Sequence, residues 1–138
     1  MGNNGDILVN RILEIAEEHG FSVGHSIIKQ EIEFTFSKQT DFGQDFSFSS
    51  YMKDYDIQTL IESINNYYEG YDPDEETMLW VGSDGHGKNG APYRLSDVLK
   101  DMEQCEEFIE DLFNAMIDAN NNENLWRLSK KINYETNV

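Results

Sequence analysis

Two stretches of this 138-residue chain carry residue types at spacings that could do chemistry. The first is Gly82-Ser83-Asp84-Gly85-His86-Gly87-Lys88-Asn89-Gly90, in which Gly82 to Lys88 fits the spacing G-x-x-x-x-G-K. In a phosphate-binding loop of that form, backbone N–H groups and the lysine hold phosphate oxygens, and the next residue brings a hydroxyl to magnesium. Here the next residue is Asn89, and Gly90-Ala91-Pro92 delays the following helix. Such a loop also needs a helix N-terminus directly behind it to favour the anion. The glycines are therefore read as permitting a tight exposed turn, from which His86 and Lys88 contact a partner or nearby acids. Phosphate or nucleotide binding by Gly82 to Asn89 is the alternative.

The second stretch is acidic: Asp97, Asp101, Glu103, Glu106, Glu107, Glu110, Asp111 and Asp118, with Lys100 between them. Leu95, Val98, Leu99, Met102, Cys105, Phe108, Ile109, Leu112, Phe113, Met116 and Ile117 are interleaved with these acids. Steps of three and four put the apolar set on one stripe of a helix and most of the acids on the other face. A helix rises about 1.5 Å per residue, so the acids span on the order of 33 Å at about one per 4 Å. A DNA strand carries a phosphate every ~3.4 Å along its axis. The ridge is thus a candidate imitation of a nucleic-acid backbone, with Glu75 and Glu76 as a flanking patch. A solvated helix face is the plainer reading.

Other constellations carry less. His19, His25, His86 and Cys105 lack the spacing of metal ligands. Asp72, Asp74 and Glu76 alternate like the start of a calcium loop, but Thr77 stands where the glycine is required. Ser47, Ser49 and Ser50 have no histidine near them in sequence. No catalytic residue, metal site or cofactor is assigned, and the chain is read as a non-enzyme.

Composition narrows the partners. Against 10 basic residues stand 27 acids, a net charge of −17, where a small domain usually carries a magnitude of about 2–8. Such a surface opposes direct binding to nucleic acid or anionic membrane, both of which need basic residues. It favours a basic protein partner, a metal ion, or merely high solubility. Hydrophobic content of 38% and aromatic content of 12% suffice for a core, so the acidity does not imply disorder. The lone Cys105 excludes an internal disulfide. With no secretory pattern at the start and no apolar run near the ~20 residues of a membrane span, the expected location is the cytoplasm.

The elements that must hold these residues read as one α+β domain over 1–138, with loose tails at Met1 to Gly5 and Asn133 to Val138. Asp6 to His19 has a helical period, with Ile7, Leu8, Ile12, Ile15 and Ala16 inward and Gly20 as its stop. Ser22 to Ser26 is a link without a clear pattern. Glu31 to Phe36 and Asp45 to Met52 alternate apolar and polar residues, as half-buried strands do, and the loop between them contains Gly43. Asp56 caps a helix buried through Ile57, Leu60, Ile61, Ile64 and Tyr68, which Gly70 ends. Asp72 to Glu76 is a turn, and Met78-Leu79-Trp80-Val81 a short strand before the glycine loop. Asn120, Asn121 and Asn122 interrupt the long helix, and Glu123 to Ile132 resumes as a short one. The expected order is α-β-β-α-β-α-α, a three-stranded, largely antiparallel sheet covered by helices. Tyr51, Tyr55, Tyr67, Tyr68, Tyr71 and Tyr93 exceed what one core needs, so several are expected at the surface, where tyrosine suits protein interfaces.

Asp45-Phe46-Ser47-Phe48-Ser49, Leu79-Trp80-Val81-Gly82 and His86-Gly87-Lys88-Asn89-Gly90-Ala91-Pro92-Tyr93 carry a resemblance. Over roughly residues 30–117 the chain resembles small acidic proteins of bacterial phages and mobile elements. The resemblance implies a setting rich in inhibitors of host defence, many of them acidic nucleic-acid mimics, including antirestriction and anti-CRISPR proteins. The expectation is an inhibitor that binds a basic nucleic-acid-binding protein, a CRISPR effector or restriction enzyme of the bacterial host, and blocks its DNA or RNA site. An adaptor domain whose charge serves solubility alone is the remaining reading.

Overall fold

The computed structural model describes residues 4–128. Among them the order is α1 (Asn4–Glu18), β1 (Ser22–Ile28), β2 (Glu31–Gln39), β3 (Asp45–Lys53), α2 (Ile57–Gly70), α3 (Pro73–Leu79) and α4 (Leu95–Glu123). The class is α+β, with an antiparallel three-stranded sheet in the order β1-β2-β3.

Local chemistry explains the boundaries. Gly20, at φ +87°, lets α1 stop in a left-handed turn, in which the Gly20 N–H donates to Glu17 O and the Phe21 N–H to Ala16 O, each at 3.0 Å. The buried Phe21 ring then packs edge-on against Phe36 and Phe108. Lys29, at φ +60°, and Gln30 form the turn between β1 and β2. Asp56 caps α2 by accepting from the Gln58 N–H at 3.0 Å.

Period-two alternation places Ile32, Phe34 and Phe36 on the face of the sheet that the helices cover. Phe48, Ser50 and Met52 do the same from β3. Ile12 and Ile15 of α1, Leu60 and Ile64 of α2, and Ile109 and Leu112 of α4 complete a fully buried centre. The opposite face stays polar: Thr35 and Ser49 hydroxyls lie 3.2 Å apart, as do those of Ser37 and Ser47, and the Tyr51 hydroxyl donates to Glu33 at 3.0 Å.

Several expectations change at the level of single elements. The strand expected at Met78–Val81 is not formed: Met78 and Leu79 end α3, 66% and 65% exposed, and Trp80 caps it. Asp72 accepts from the Asp74 N–H at 2.9 Å, Pro73 sits at the first helical position, and three acids occupy the first turn. These are strong helix-start signals, and a four-residue apolar run is too short to oppose them. The sheet takes its third strand instead from Ser22–Ile28, which includes the Ser22 to Ser26 stretch read as a link. Val81 keeps an isolated bridge to Gly87.

Asn120, Asn121 and Asn122 lie inside α4, which ends at Asn124 in the left-handed region (φ +54°). The buried stripe reaches Ala119, so packing overrides the modest helix propensity of asparagine. Asn4 and Gly5 belong to α1 rather than to a loose arm, while Ile7 points outward and Val9 inward. Met1 to Asn3, the tail from Asn133 and the last part of the helix expected over Glu123 to Ile132 lie outside the described residues. No helix among the described residues is long and apolar enough to cross a membrane.

Candidate acidic interface

The long helix α4 runs continuously for 29 residues, anchored by Val98, Met102, Cys105, Phe108, Ile109, Leu112, Ala115, Met116 and Ala119. Burial raises the Cys105 thiol to about 12, so it is a protonated core group at neutral pH. The outer face carries Glu103, Glu107, Glu110, Asp111 and Asp118, all exposed. Asp97 and Glu106 sit half-buried at its margins. Between Asp97 and Asp118 one ion pair occurs among the described residues, Lys100 Nζ to Asp97 Oδ1 at 4.0 Å. Glu103, Glu106, Glu107 and Asp111 have no cationic partner there.

Two helices flank this face. Packed against α4, α2 brings the Tyr68 hydroxyl to Glu110 Oε2 at 3.0 Å, a hydrogen bond that raises the phenol above its ordinary range. Against α4 also lies α3, with Glu75 exposed and Glu76 half-buried. The two sequence-derived patches thus belong to neighbouring helices, with Glu75 as the outward member of the second.

Asp101 does not belong to the ridge. It is 1% exposed and points into the protein, where the Thr40 hydroxyl donates to Oδ2 at 2.7 Å and the Phe42 N–H to Oδ1 at 3.3 Å. Thr40 Oγ1 in turn accepts from the Gln44 N–H at 2.9 Å. One turn on, Gln104 exchanges two hydrogen bonds with Asp41: the Asp41 N–H donates to Oε1 at 2.8 Å, and Nε2 donates to Asp41 Oδ1 at 2.9 Å. Asp101 and Gln104 together fasten the β2–β3 loop to the helix. The signal was in the spacing: Val98, Asp101, Cys105, Phe108 and Leu112 step by three and four along the buried stripe.

The glycine loop is closed on itself. The Gly82 N–H donates to His86 O at 2.8 Å, Gly85 to Gly82 O at 3.0 Å, Gly87 to Tyr93 O at 3.0 Å and Lys88 to Trp80 O at 2.8 Å. The His86 N–H donates to Asp84 Oδ1 at 3.1 Å. These five amides are engaged internally, whereas a phosphate cradle needs them directed at the ligand. A Cβ at Gly87 would come within 1.7 Å of Pro92 O, so packing alone accounts for that glycine. The His86 ring stacks on Tyr93 at 3.9 Å, while Lys88 is exposed and forms no ion pair with the α4 acids. The two loop residues thus stay apart from the ridge.

The tyrosines divide between core and surface. Tyr71 is buried, with its hydroxyl donating to Met102 O at 3.0 Å, and Tyr55, Tyr67 and Tyr68 are partly buried against the core. Tyr51 and Tyr93 are exposed. Comparison with protein-family models, with curated proteins and with solved structures finds no match to this chain.

Proposed function

We propose that this protein is an acidic inhibitor that occupies the nucleic-acid groove of a basic host-defence protein, a CRISPR effector or a restriction enzyme. In this reading it acts in the cytoplasm of a bacterial host, by occupancy alone, without catalysis or cofactor. The observation that carries the reading is the row Glu103, Glu107, Glu110, Asp111 and Asp118 on the outside of one continuous helix, with Glu75 on the helix beside it. A helix locked by its buried face loses little entropy when a partner grips it, because its carboxylates already stand in order. A groove that holds phosphates presents lysine and arginine at matching density, and steering by opposite charge accelerates encounter.

Purified effectors and restriction enzymes would be assayed for DNA binding with and without the protein. The triple variant Glu103→Lys, Glu107→Lys, Asp111→Lys should abolish inhibition while leaving the circular dichroism unchanged. Glu110 is spared because it accepts from Tyr68. Inhibition that survives the triple reversal, or that does not weaken as salt rises past physiological strength, would discard the mimic in favour of a salt-insensitive adaptor.

A further inference from the structure

The two edges of the sheet are finished differently. At β3, the Tyr51 N–H donates to Ser63 Oγ at 3.0 Å and the Lys53 N–H to Thr59 Oγ1 at 2.8 Å, so side chains of α2 close the C-terminal end of that edge. Those two bonds also fix the direction of every peptide in the sheet. Tyr51 faces away from β2, so its partner Glu33 faces β1 and bonds to Ser26. Ser22, Gly24, Ser26 and Ile28 therefore form the ladder with β2. The peptide groups of Val23, His25 and Ile27 point outward from the sheet. No side chain among the described residues closes this edge as Ser63 and Thr59 close the other.

Proteins usually blunt an open edge with lysine, proline, a bulge or an inward charge. β1, Ser-Val-Gly-His-Ser-Ile-Ile, contains no lysine, proline or acid. Its side chains are almost all exposed, with Ile27 at 63% and Ile28 at 57%. In a chain of net charge −17, a strand without acid or lysine is conspicuous. A basic peptide would find no carboxylate on it, whereas another neutral strand would meet no like charge.

We infer that β1 is the interface for a second copy of this chain, the two strands pairing antiparallel about a two-fold axis at His25 to form a continuous six-stranded sheet. In that register His25 faces His25 of the other copy, and Val23 and Ile27 face Ile27 and Val23. All are hydrogen-bonded pairs with Cα atoms about 5.5 Å apart. All three outward peptide groups are then satisfied, and the exposed Ile27 covers Val23 of the other copy. This pairing is independent of what α4 binds. Salt acts on the two contacts with opposite sign: screening relieves repulsion between two anionic chains and weakens attraction between the ridge and a basic groove.

Light-scattering mass measurement on the full chain tests the pairing. The mass should rise from 16.0 kDa toward twice that value as protein concentration and salt increase. His25→Pro is the sharpest variant, because the N–H it removes points outward and the ladder to β2 survives. It should be monomeric at every salt concentration with unchanged circular dichroism. If it fails to fold, Ile27→Lys, an edge charge that opposes pairing, decides in its place. A wild-type chain that stays at 16.0 kDa throughout, or a folded variant that dimerises as well as wild type, overturns the inference.

Discussion

Asp101 and Glu107 sit on the same helix, six residues apart, and do opposite work. Asp101 faces inward and holds the β2–β3 loop through Thr40 and Phe42; Glu107 faces solvent with no ion pair among the described residues. An acid on the inner face is stabilising because two protein donors replace the water it loses. An acid on the outer face adds to the repulsion along the helix, and Glu103, Glu107 and Asp111 stand at successive four-residue steps. The same residue type is thus part of the fold in one place and a load on it in the other. Under the proposed function, a basic partner would relieve that load.

The comparison can be broken or sharpened by unfolding measurements in urea. The largest effect belongs to the packing that holds α4 in register: Leu112→Ala, at a fully buried position, should cost about 2.5–5 kcal/mol. Asp101→Ala should cost about 2–3 kcal/mol, because the Thr40 hydroxyl and the Phe42 amide lose their acceptor in a buried site. Asp101→Asn, which keeps one acceptor oxygen, should lose about half as much. A cost for Asp101→Ala no greater than that of a surface substitution would end the distinction between the two faces.

Next is the clamp between the middle of α1 and the C-terminus of α4. Arg11 Nε and a terminal nitrogen each donate to Glu123 at 2.7 Å, tying α1 to α4, and this hydrogen bonding holds the Glu123 carboxyl below its ordinary range. A depressed carboxyl stabilises the fold above the ordinary carboxylate range and loses that contribution as pH falls through the lowered value. The pair is exposed, so a double-mutant cycle with Arg11→Ala and Glu123→Ala should give at most about 1 kcal/mol at neutral pH. The coupling should vanish in acid, and a coupling that persists there would show that charge is not its source. The smallest effect has the opposite sign: Glu107→Gln should stabilise by about 0.2–0.5 kcal/mol at low salt, by removing like-charge neighbours one turn away.

Periodicity in the sequence accounts for much of the fold. The alternation in Glu31–Phe36 and Asp45–Met52, the Asp56 cap and the Gly20 stop each correspond to an observed element or boundary. The signal for β1 was present as well, since Val23, His25 and Ile27 alternate with Ser22, Gly24 and Ser26. The small polar residues, and Gly24 in the middle, disguised it. Met78–Val81 is ambiguous in the other direction, because four apolar residues fit a strand or a helix end equally well. Of the candidate site, Glu103, Glu107, Glu110 and Asp111 are legible from angle alone; angle also puts Asp101 on the buried stripe, while its partner, 61 residues away in sequence, is visible only in the fold.

Sequence by itself determined the periods, the caps and the charge, because these depend on residues within one or two turns of each other. The tertiary structure decided which acid is buried, which sheet edge is closed and where the glycine loop sends its amides. Those outcomes depend on what a side chain or peptide meets from a distant part of the chain. Thr40 reaches Asp101, Ser63 reaches Tyr51, and nothing among the described residues closes the outer edge of β1 in the same way.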